Sequence, residues 1–341
     1  MKPLRALVVD DSAYNRRTIS DLLESLPDVE VVGKAADGNE ALRLVRDLSP
    51  DVITLDLEMP RMDGFTFLRL LMARQPTPVI VVSGYANKEN VFRALELGAL
   101  DFVAKPTRSV TTDLAAIRAE LLEKVALVRH LSRLGGVRPV ERGARAEAPS
   151  RTPGRPRKVV VIGASTGGPT ALVELFRRLP PGPDAAFVIA QHMPPRFTET
   201  FAARLDRLGP IHVRQATRAH PLQAGEAWVC PGGQCAEIGA DGQLIVLPPA
   251  ATDRYVPSVD RLFESAARHL RQRCLGVVLT GMGDDGARGA AALHRAGARV
   301  LAESAETAVI YGMPQAAAAT GAVDESLPID ALGRRLGQLL D

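Results

Sequence analysis

A serine and a histidine each follow an apolar run in the second half of this 341-residue chain. Ser165 lies in GASTG, directly after KVVVI, and Gly-x-Ser-x-Gly lets a serine sit on a sharp strand-to-helix turn with its hydroxyl exposed. Such a serine needs a base to become a nucleophile. Of the six histidines, only His192 directly follows a strongly strand-like stretch, AAFVIA with Gln191. We therefore expect Ser165 and His192 at neighbouring strand ends.

A third strand-like run, GVVLTG, leads to two adjacent aspartates, Asp284 and Asp285. An aspartate there could hold the imidazole in the correct tautomer, and spacing alone does not separate the two candidates. The order Ser, His, Asp differs from that of α/β-hydrolases, so the turn motif does not assign that fold. A competing interpretation has the glycines of the turn cradling a pyrophosphate, but they do not form Gly-x-Gly-x-x-Gly.

The first half of the chain carries a second set of polar residues at the ends of apolar runs. They are Asp10, Asp11, Asp56, Ser83 and Lys105. Three carboxylates converging at one sheet edge repel one another unless a cation lies among them, and oxygen ligands suit Mg²⁺. The Lys105 ammonium could pair with a carboxylate or with a phosphoryl group, which the Ser83 hydroxyl could also bind. Singly, either aspartate of the first pair could instead cap the helix that opens near Ser12.

Strand-like runs alternate with helical patterns in both halves, which predicts two α/β domains with parallel sheets. The strand candidates are RALVVD, VEVVGKA, DVITLD, PVIVVS and DFVAKP, then KVVVIGA, AAFVIA, AWVC, GQLIVL, GVVLTG and ARVLAE. A helix over about Leu114–Leu134, stopped by two glycines, closes the first domain over residues 1–134. A basic, proline-rich linker is predicted over 135–157 and the second domain over 158–341.

The composition bounds the class of protein. Apolar residues make up 46 % of the chain, and no run resembles a signal peptide or reaches membrane-spanning length. The net charge of +3 is too small to indicate nucleic-acid binding. Three cysteines cannot all pair and lack the repeated Cys-x-x-Cys of a zinc site, so we expect a cytoplasmic protein.

Residues 4 to 124 resemble the receiver domain of two-component response regulators, a flavodoxin-like fold with a five-stranded parallel sheet. The resemblance implies that Asp56, in LDLEMPRMDG, accepts phosphate from a chemotaxis histidine kinase, with Asp10 and Asp11 on Mg²⁺. Glu58 would add its backbone carbonyl to the metal ligands. The residues that register phosphorylation in that family correspond to Ser83, Phe102 and Lys105, although Phe102 could equally be a plain core residue.

Residues 157 to 335 resemble the chemotaxis protein-glutamate methylesterases, with further matches in VPSVDRLFESAA and AETAVIYGMPQAA. The resemblance implies a doubly wound α/β domain without a cofactor that hydrolyses glutamyl methyl esters, and deamidates glutamines, on the cytoplasmic helices of chemoreceptors. Ser165 would be the nucleophile, His192 the base and then the acid, and Asp285 the orienting carboxylate, with Asp284 as the alternative. The backbone amides of Met282 and Thr166 would stabilise the oxyanion.

Two positions depart from the pattern of that family. Cys235 stands where relatives commonly have histidine, and Glu303 where they commonly have glutamine.

The expected regulation of the esterase is release of inhibition, in which phosphorylation weakens packing of the receiver over the Ser165 crevice. The alternative is a non-catalytic response regulator whose second domain binds a partner or a nucleotide.

Overall fold

The computed structural model describes residues 2–84, 88–105, 111–128, 154–209 and 211–340. The chain divides into two compact units, Met1–Val140 and Glu141–Asp341. The predicted linker over 135–157 lies outside the described residues except for 154–157. The predicted helix end at Leu134 and the two glycines after it also lie outside them. Among the described residues, no helix combines the length and apolar character needed to cross a bilayer.

The first unit alternates strands and helices, as its apolar runs predict. Its strands are β1 (Leu4–Val9), β2 (Val29–Ala35), β3 (Val52–Leu55), β4 (Val79–Ser83) and β5 (Asp101–Ala104). Its helices are α1 (Ala13–Leu23), α2 (Gly38–Leu48), α3 (Gly64–Arg74), α4 (Lys88–Glu96) and α5 (Thr111–Leu127). Strands β3, β4 and β5 are buried along their whole length, which explains their unbroken apolar character.

The five strands form one parallel sheet in the order β2-β1-β3-β4-β5. This is the flavodoxin-like order, in which the direction of winding reverses between β1 and β3. Ligands of such sheets bind beyond the carboxyl ends of the strands at that reversal. Side chains that follow β1 and β3 are therefore the ones placed to do chemistry in this unit.

The second unit contains a seven-stranded parallel sheet and a small antiparallel sheet. The strands are β6 (Lys158–Ala164), β7 (Ala185–Gln191), β8 (His212–Gln215), β9 (Ala219–His220), β10 (Glu226–Val229), β11 (Cys235–Ile238), β12 (Leu244–Leu247), β13 (Cys274–Val278), β14 (Arg299–Glu303) and β15 (Glu325–Leu327). The helices are α6 (Gly168–Arg177), α7 (Pro195–Leu208), α8 (Val259–His269), α9 (Ala287–Arg295), α10 (Met313–Ala319) and α11 (Ile329–Leu340).

The large sheet has the order β15-β14-β13-β6-β7-β10-β8. Winding runs from β6 through β7 in one direction and from β13 through β14 in the other. Because parallel crossovers are right-handed, this reversal places helices on both faces, and the sheet is doubly wound. Helix α6 packs with α7 and α11, and α9 packs with α8 and α10. The central strands β13, β6 and β7 thus deliver their following loops to one crevice.

One predicted strand lies elsewhere than expected. GQLIVL forms β12, which pairs antiparallel with β11 and β9 in the separate three-stranded sheet, so its placement in the parallel sheet was wrong. Three of the four β12 residues are only partly buried, unlike those of the central strands. The Asp241-Gly242 pair, with Gly242 at φ +79°, turns the chain between β11 and β12 and is the hairpin signal in the sequence.

The three cysteines are buried and unpaired. Burial raises the pKa of the Cys230 and Cys274 thiols far above the ordinary range. Burial also raises the pKa of Cys235, whose Sγ lies 3.5 Å from Asp253 Oδ2. All three therefore act as small apolar groups rather than as nucleophiles.

Candidate active site

Ser165 is the first residue after β6, on the turn that leads into α6. Its backbone N–H donates to the Thr280 carbonyl at 3.0 Å, which ties the turn to the end of β13. Gly167, at φ +78°, then allows the helix to begin at Gly168. The Ser165 side chain is partly exposed, and its hydroxyl has no hydrogen-bond partner among the described residues. The hydroxyl can therefore accept a hydrogen bond from an incoming group or donate one to it.

His192 is the first residue after β7, directly beside Ser165. Ala164 and Gln191 are register partners across the two strands, and the His192 N–H donates to the Ala164 carbonyl at 3.0 Å. The buried Gln191 side chain strengthens this link, because its Nε2 donates to the Ser165 and His192 carbonyls at 2.9 Å each. A Cβ at Gly168 would meet Gln191 Oε1 at 2.1 Å, so only glycine admits this side chain.

Asp285 contacts the histidine ring and is itself held by a helix start. Its Oδ2 lies 2.9 Å from His192 Nε2, while only 2 % of the residue is exposed. The N–H groups of Val259 and Asp260, in the first turn of α8, donate to its carboxylate at 2.8 and 2.9 Å. The two backbone donors at the start of α8 hold this carboxylate in place beside the imidazole. With Nε2 carrying the shared proton, His192 Nδ1 presents the lone pair that a base requires.

The adjacent Asp284 faces away from this pair, into solvent. Its carboxylate accepts hydrogen bonds from Tyr255 Oη at 3.0 Å and Arg254 Nη1 at 3.2 Å. The geometry therefore separates the two aspartates that spacing could not, with Asp285 alone on the imidazole.

Two backbone N–H groups predicted to bind an oxyanion lie at the same edge. Among the described residues, neither Thr166 N–H nor Met282 N–H donates a hydrogen bond, although both flank the Ser165 turn. The Thr166 carbonyl is held by Thr280 Oγ1 at 2.9 Å, which fixes the peptide. The Met282 side chain is 36 % exposed, so this loop borders open space. Two N–H groups without acceptors beside a serine hydroxyl have the donor arrangement that an oxyanion would require.

Glu303 lies behind the serine turn as a buried acid. Its Oε2 accepts the Thr280 N–H at 2.9 Å, and its Oε1 accepts the Thr307 hydroxyl at 2.9 Å. Burial, only partly offset by these two donors, raises the pKa of Glu303 to about 7. Thr280 thus connects this carboxyl to the backbone of Ser165, a relation that the sequence did not reveal.

In the first unit, Asp10 and Asp56 follow β1 and β3 at the reversal of the sheet. Both are buried, and Lys105 Nζ lies 3.0 Å from Asp10 Oδ2 and 2.5 Å from Asp56 Oδ2. Desolvation raises the pKa of Asp56 against the opposing effect of Lys105. Burial lowers the pKa of Lys105, but the two carboxylates outweigh it and raise the value overall. The ammonium is held among the carboxylates as a charged partner.

The predicted metal ligands are grouped here. Asp10, Asp11 and Asp56 each offer a carboxylate oxygen, and these oxygens lie within 4.8 Å of one another. Asp11 is exposed and Asp10 and Asp56 are buried, so the cluster opens to solvent on one side. Such an all-oxygen set fits a hard divalent cation that keeps several waters. Glu58 donates its N–H to Asp56 Oδ1 at 3.3 Å. Neither aspartate of the pair caps α1, because Ser12 Oγ accepts the Asn15 N–H.

The other predicted receiver residues lie at the neighbouring strand ends. Ser83 ends β4, is buried, and accepts the Lys105 N–H on its carbonyl at 2.7 Å. Phe102 is buried on β5 against Phe92, with ring centroids 6.1 Å apart. The partly buried Lys124 donates from Nζ to the Phe102 carbonyl at 2.6 Å, and Nζ lies 5.2 Å from the Phe102 ring centroid. In this conformation Phe102 is a core residue.

Comparisons with known proteins identify a family for each of the two regions. Residues 160–336, just over half of the chain, match the family model of the CheB methylesterases. The chain belongs to the CheB methylesterase family. Residues 6–116 match the response regulator receiver domain, so this member of the family carries a receiver before its methylesterase region.

Relatives of this CheB family member are similar over their full length. A protein-glutamate methylesterase/protein-glutamine glutaminase of Myxococcus xanthus is 52 % identical over 98 % of this chain and 97 % of its own. One from Anaeromyxobacter dehalogenans is 53 % identical over 98 % of this chain and 95 % of its own. The crystal structure of the Thermotoga maritima CheB methylesterase catalytic domain is 36 % identical, with a TM-score of 0.51 over 53 % of this chain and 98 % of its own.

Two residues at the site of this family member escaped the sequence analysis. Gln191 was noted only as a spacer, although a polar residue at the end of a buried apolar strand is itself a signal. Tyr255 stacks on the His192 ring, with centroids 5.3 Å apart and planes 9° from parallel. No sequence signal could have found it, because 63 residues separate the two positions along the chain.

Proposed function

We propose that the protein is a phosphorylation-regulated protein-glutamate methylesterase and protein-glutamine glutaminase that acts on methylated chemoreceptors. The observation that carries the proposal is the hydrogen bond of 2.9 Å between His192 Nε2 and the buried Asp285, at the strand end beside Ser165. A nucleophile, a base and an orienting carboxylate at one sheet edge are what acyl transfer requires.

Acylation begins when the Ser165 oxygen attacks the ester carbonyl of a glutamyl methyl ester. His192 Nδ1 takes the hydroxyl proton, and Asp285 stabilises the imidazolium that forms. The carbonyl oxygen becomes an oxyanion that the Thr166 and Met282 amides bind, each donor being worth about 3 kcal/mol of barrier. Collapse breaks the bond to methoxide, which takes the proton from His192 and leaves as methanol.

Deacylation repeats these steps with water. His192 removes a proton from the water as its oxygen attacks the acyl-serine, and it then returns the proton to Ser165. The product is a glutamate side chain. A glutamine substrate follows the same course with ammonia as the leaving group, so one site serves both reactions.

The receiver supplies the regulation in this proposal. Asp56 would take a phosphoryl group from a histidine kinase, with Mg²⁺ held by Asp10, Asp11, Asp56 and the Glu58 carbonyl. A bound divalent cation neutralises the charge of the carboxylates and of the phosphoryl group. Lys105 already pairs with Asp56 and is placed to bind the phosphoryl oxygens, with the Ser83 hydroxyl as a second donor. Phe102 would change its packing in response.

The substrate, the cellular compartment and the effect of phosphorylation complete the proposed function. The substrate would be the cytoplasmic helices of chemoreceptors, and the protein would act in the cytoplasm. Phosphorylation would relieve an inhibition that the receiver exerts on the Ser165 crevice. A ten-fold change in rate needs only about 1.4 kcal/mol of difference between two arrangements.

The direct test is the mass of a methylated receptor peptide after incubation with the protein. Wild type should remove the methyl group, and Ser165→Ala should not. Ser326→Ala is the matched control, because Ser326 is an exposed serine on the edge strand β15. If wild type and Ser165→Ala leave the peptide equally unchanged while a nucleotide stabilises the fold against heat, the non-catalytic alternative is correct.

A further inference from the structure

One face of the His192 ring is covered by an aromatic side chain. The Tyr255 ring lies nearly parallel to it, at 9°, with centroids 5.3 Å apart. Asp285 holds only the Nε2 edge of the imidazole. A hydrogen bond at one edge lets a ring tilt about that bond, whereas a parallel neighbour restricts the plane.

Tyr255 has two further neighbours, Asp284 and Arg254, whose side chains are largely exposed. Its Oη donates to Asp284 Oδ1 at 3.0 Å, and Arg254 Cζ lies 5.1 Å from its ring centroid. Arg254 Nη1 also contacts the Asp284 carboxylate at 3.2 Å, which closes a three-residue clamp. Desolvation and the Asp284 carboxylate raise the pKa of Tyr255, so the phenol keeps the proton that it donates.

The backbone of the Asp284 loop is shaped to admit this hydroxyl. A Cβ at Gly283 would lie 2.3 Å from Tyr255 Oη, a distance that real contacts do not reach. Gly283 also has φ +81°, where other residues are strained. The loop that carries Asp285 to the imidazole therefore also makes room for the clamp.

We propose that Tyr255 is a positioning residue that fixes the plane of His192, and that Asp284 and Arg254 position Tyr255. The inference rests on the proposed function only in that His192 serves as the base. When His192 takes the serine proton, the Tyr255 ring face also lies against a cation, a favourable contact. Asp284 and Asp285 thus hold the imidazole by different routes, one through its face and one through its edge.

Steady-state kinetics of the full chain test the proposal on two substrates, the methylated receptor peptide and p-nitrophenyl acetate. Tyr255→Leu should lower kcat by about ten-fold on both with KM unchanged, because misorientation of a base affects the chemical step. Tyr255→Phe and Asp284→Ala each remove the same tether, so each should lower kcat by about three-fold, and the double variant by no more. Asp284→Asn keeps an acceptor oxygen and should restore wild-type kcat.

Two matched controls accompany these variants. Tyr14→Leu removes a tyrosine that is 61 % exposed on α1, and Asp330→Ala removes an exposed partner of Arg334. Both should leave kcat unchanged. A loss confined to KM for the receptor peptide, with normal turnover of the small ester, would assign Tyr255 to substrate contact and overturn the proposal.

The ring N–H proton that His192 shares with Asp285 gives a readout independent of turnover. It should be a sharp downfield NMR signal in wild type and in Asp284→Asn, and it should broaden in Tyr255→Leu as the ring tilts. A sharp signal in Tyr255→Leu would refute positioning. If wild type hydrolyses neither substrate, the proposed function fails, and this signal still decides whether Tyr255 orients the ring.

Discussion

Each unit places a buried carboxylate at the carboxyl edge of a parallel sheet. The groups that pair with this carboxylate differ between the two units. Asp56 is paired through the Lys105 side chain and one backbone N–H at 3.3 Å. Asp285 receives two backbone N–H groups at 2.8 and 2.9 Å from a helix start, and also contacts the His192 ring. A side-chain cation can move to a new anion, whereas backbone donors stay where the fold puts them.

This difference matches what each carboxylate is proposed to do. A phosphate acceptor must present an oxygen to an electrophile, so a displaceable partner suits it. An orienting carboxylate must never react or turn, so fixed donors suit it. Substitutions at these carboxylates and at neighbouring residues test the contrast, and the largest effect is expected at Asp285.

Asp285→Asn should lower kcat by about a thousand-fold or more, because an amide at this position favours the wrong imidazole tautomer. Esterase kinetics with p-nitrophenyl acetate and the receptor peptide measure the loss. Asp284→Asn, one residue away, should leave kcat unchanged. Equal losses in the two variants would contradict the assignment of the buried aspartate to His192.

Glu303 is a third buried carboxyl, and it should make stability depend on pH. Its pKa is about 7 in the folded chain against an ordinary value of 4.5. As pH rises from 4.5 towards 7, the unfolded chain releases this proton while the folded chain retains it, so folding becomes less favourable. Wild type should therefore lose up to about 3 kcal/mol relative to Glu303→Gln by pH 8 or so, and nothing below about pH 4.5.

Urea unfolding followed by fluorescence of Trp228, the one tryptophan of the chain, measures this difference within the second unit. Glu306→Gln is the matched control, since Glu306 is exposed three residues further along. Parallel pH curves for wild type and Glu303→Gln would show that the buried carboxyl does not resist ionisation.

Asp56→Asn should abolish the increase in esterase rate that a small phosphodonor produces, while the rate without phosphodonor stays the same. The expected increase in wild type is about ten-fold, corresponding to about 1.4 kcal/mol. Removing divalent cations with a chelator should have the same effect as the substitution. Asp47→Asn, an exposed change on α2, should respond to phosphodonor as wild type does. Stimulation that survives in Asp56→Asn would place the acceptor elsewhere.

The smallest effect distinguishes two N-cap serines. Ser258 caps α8, and its Oγ also lies 3.4 Å from Asp285 Oδ1. Ser12 caps α1 with its Oγ, and only its backbone N–H, which alanine keeps, donates to a site carboxylate, that of Asp10. Replacing either by alanine should lower the free energy of unfolding of its unit by about 1 kcal/mol. Only Ser258→Ala should also lower kcat. If kcat decreased in Ser12→Ala but not in Ser258→Ala, the prediction would be wrong.

The sequence predicted the positions that depend on strand ends. Ser165, His192, Asp56 and Lys105 each follow an apolar run, and parallel strands bring such positions to one edge. It could not separate Asp284 from Asp285, because the choice depends on the loop conformation set by Gly283 and Gly286, both at positive φ. Tyr255 and the link from Glu303 to Thr280 escaped prediction because they arise from packing between distant segments. GQLIVL was misassigned because an apolar run does not reveal which sheet it joins.

The low reactivity of the three native cysteines makes the protein suitable for labelling at introduced cysteines. Thiols that are buried and held protonated react slowly with maleimides and spin labels. One cysteine introduced on the surface of each unit would therefore carry a probe with little background, without first removing the native thiols. Distances between such probes, with and without phosphodonor, would measure directly how the two halves of the chain rearrange.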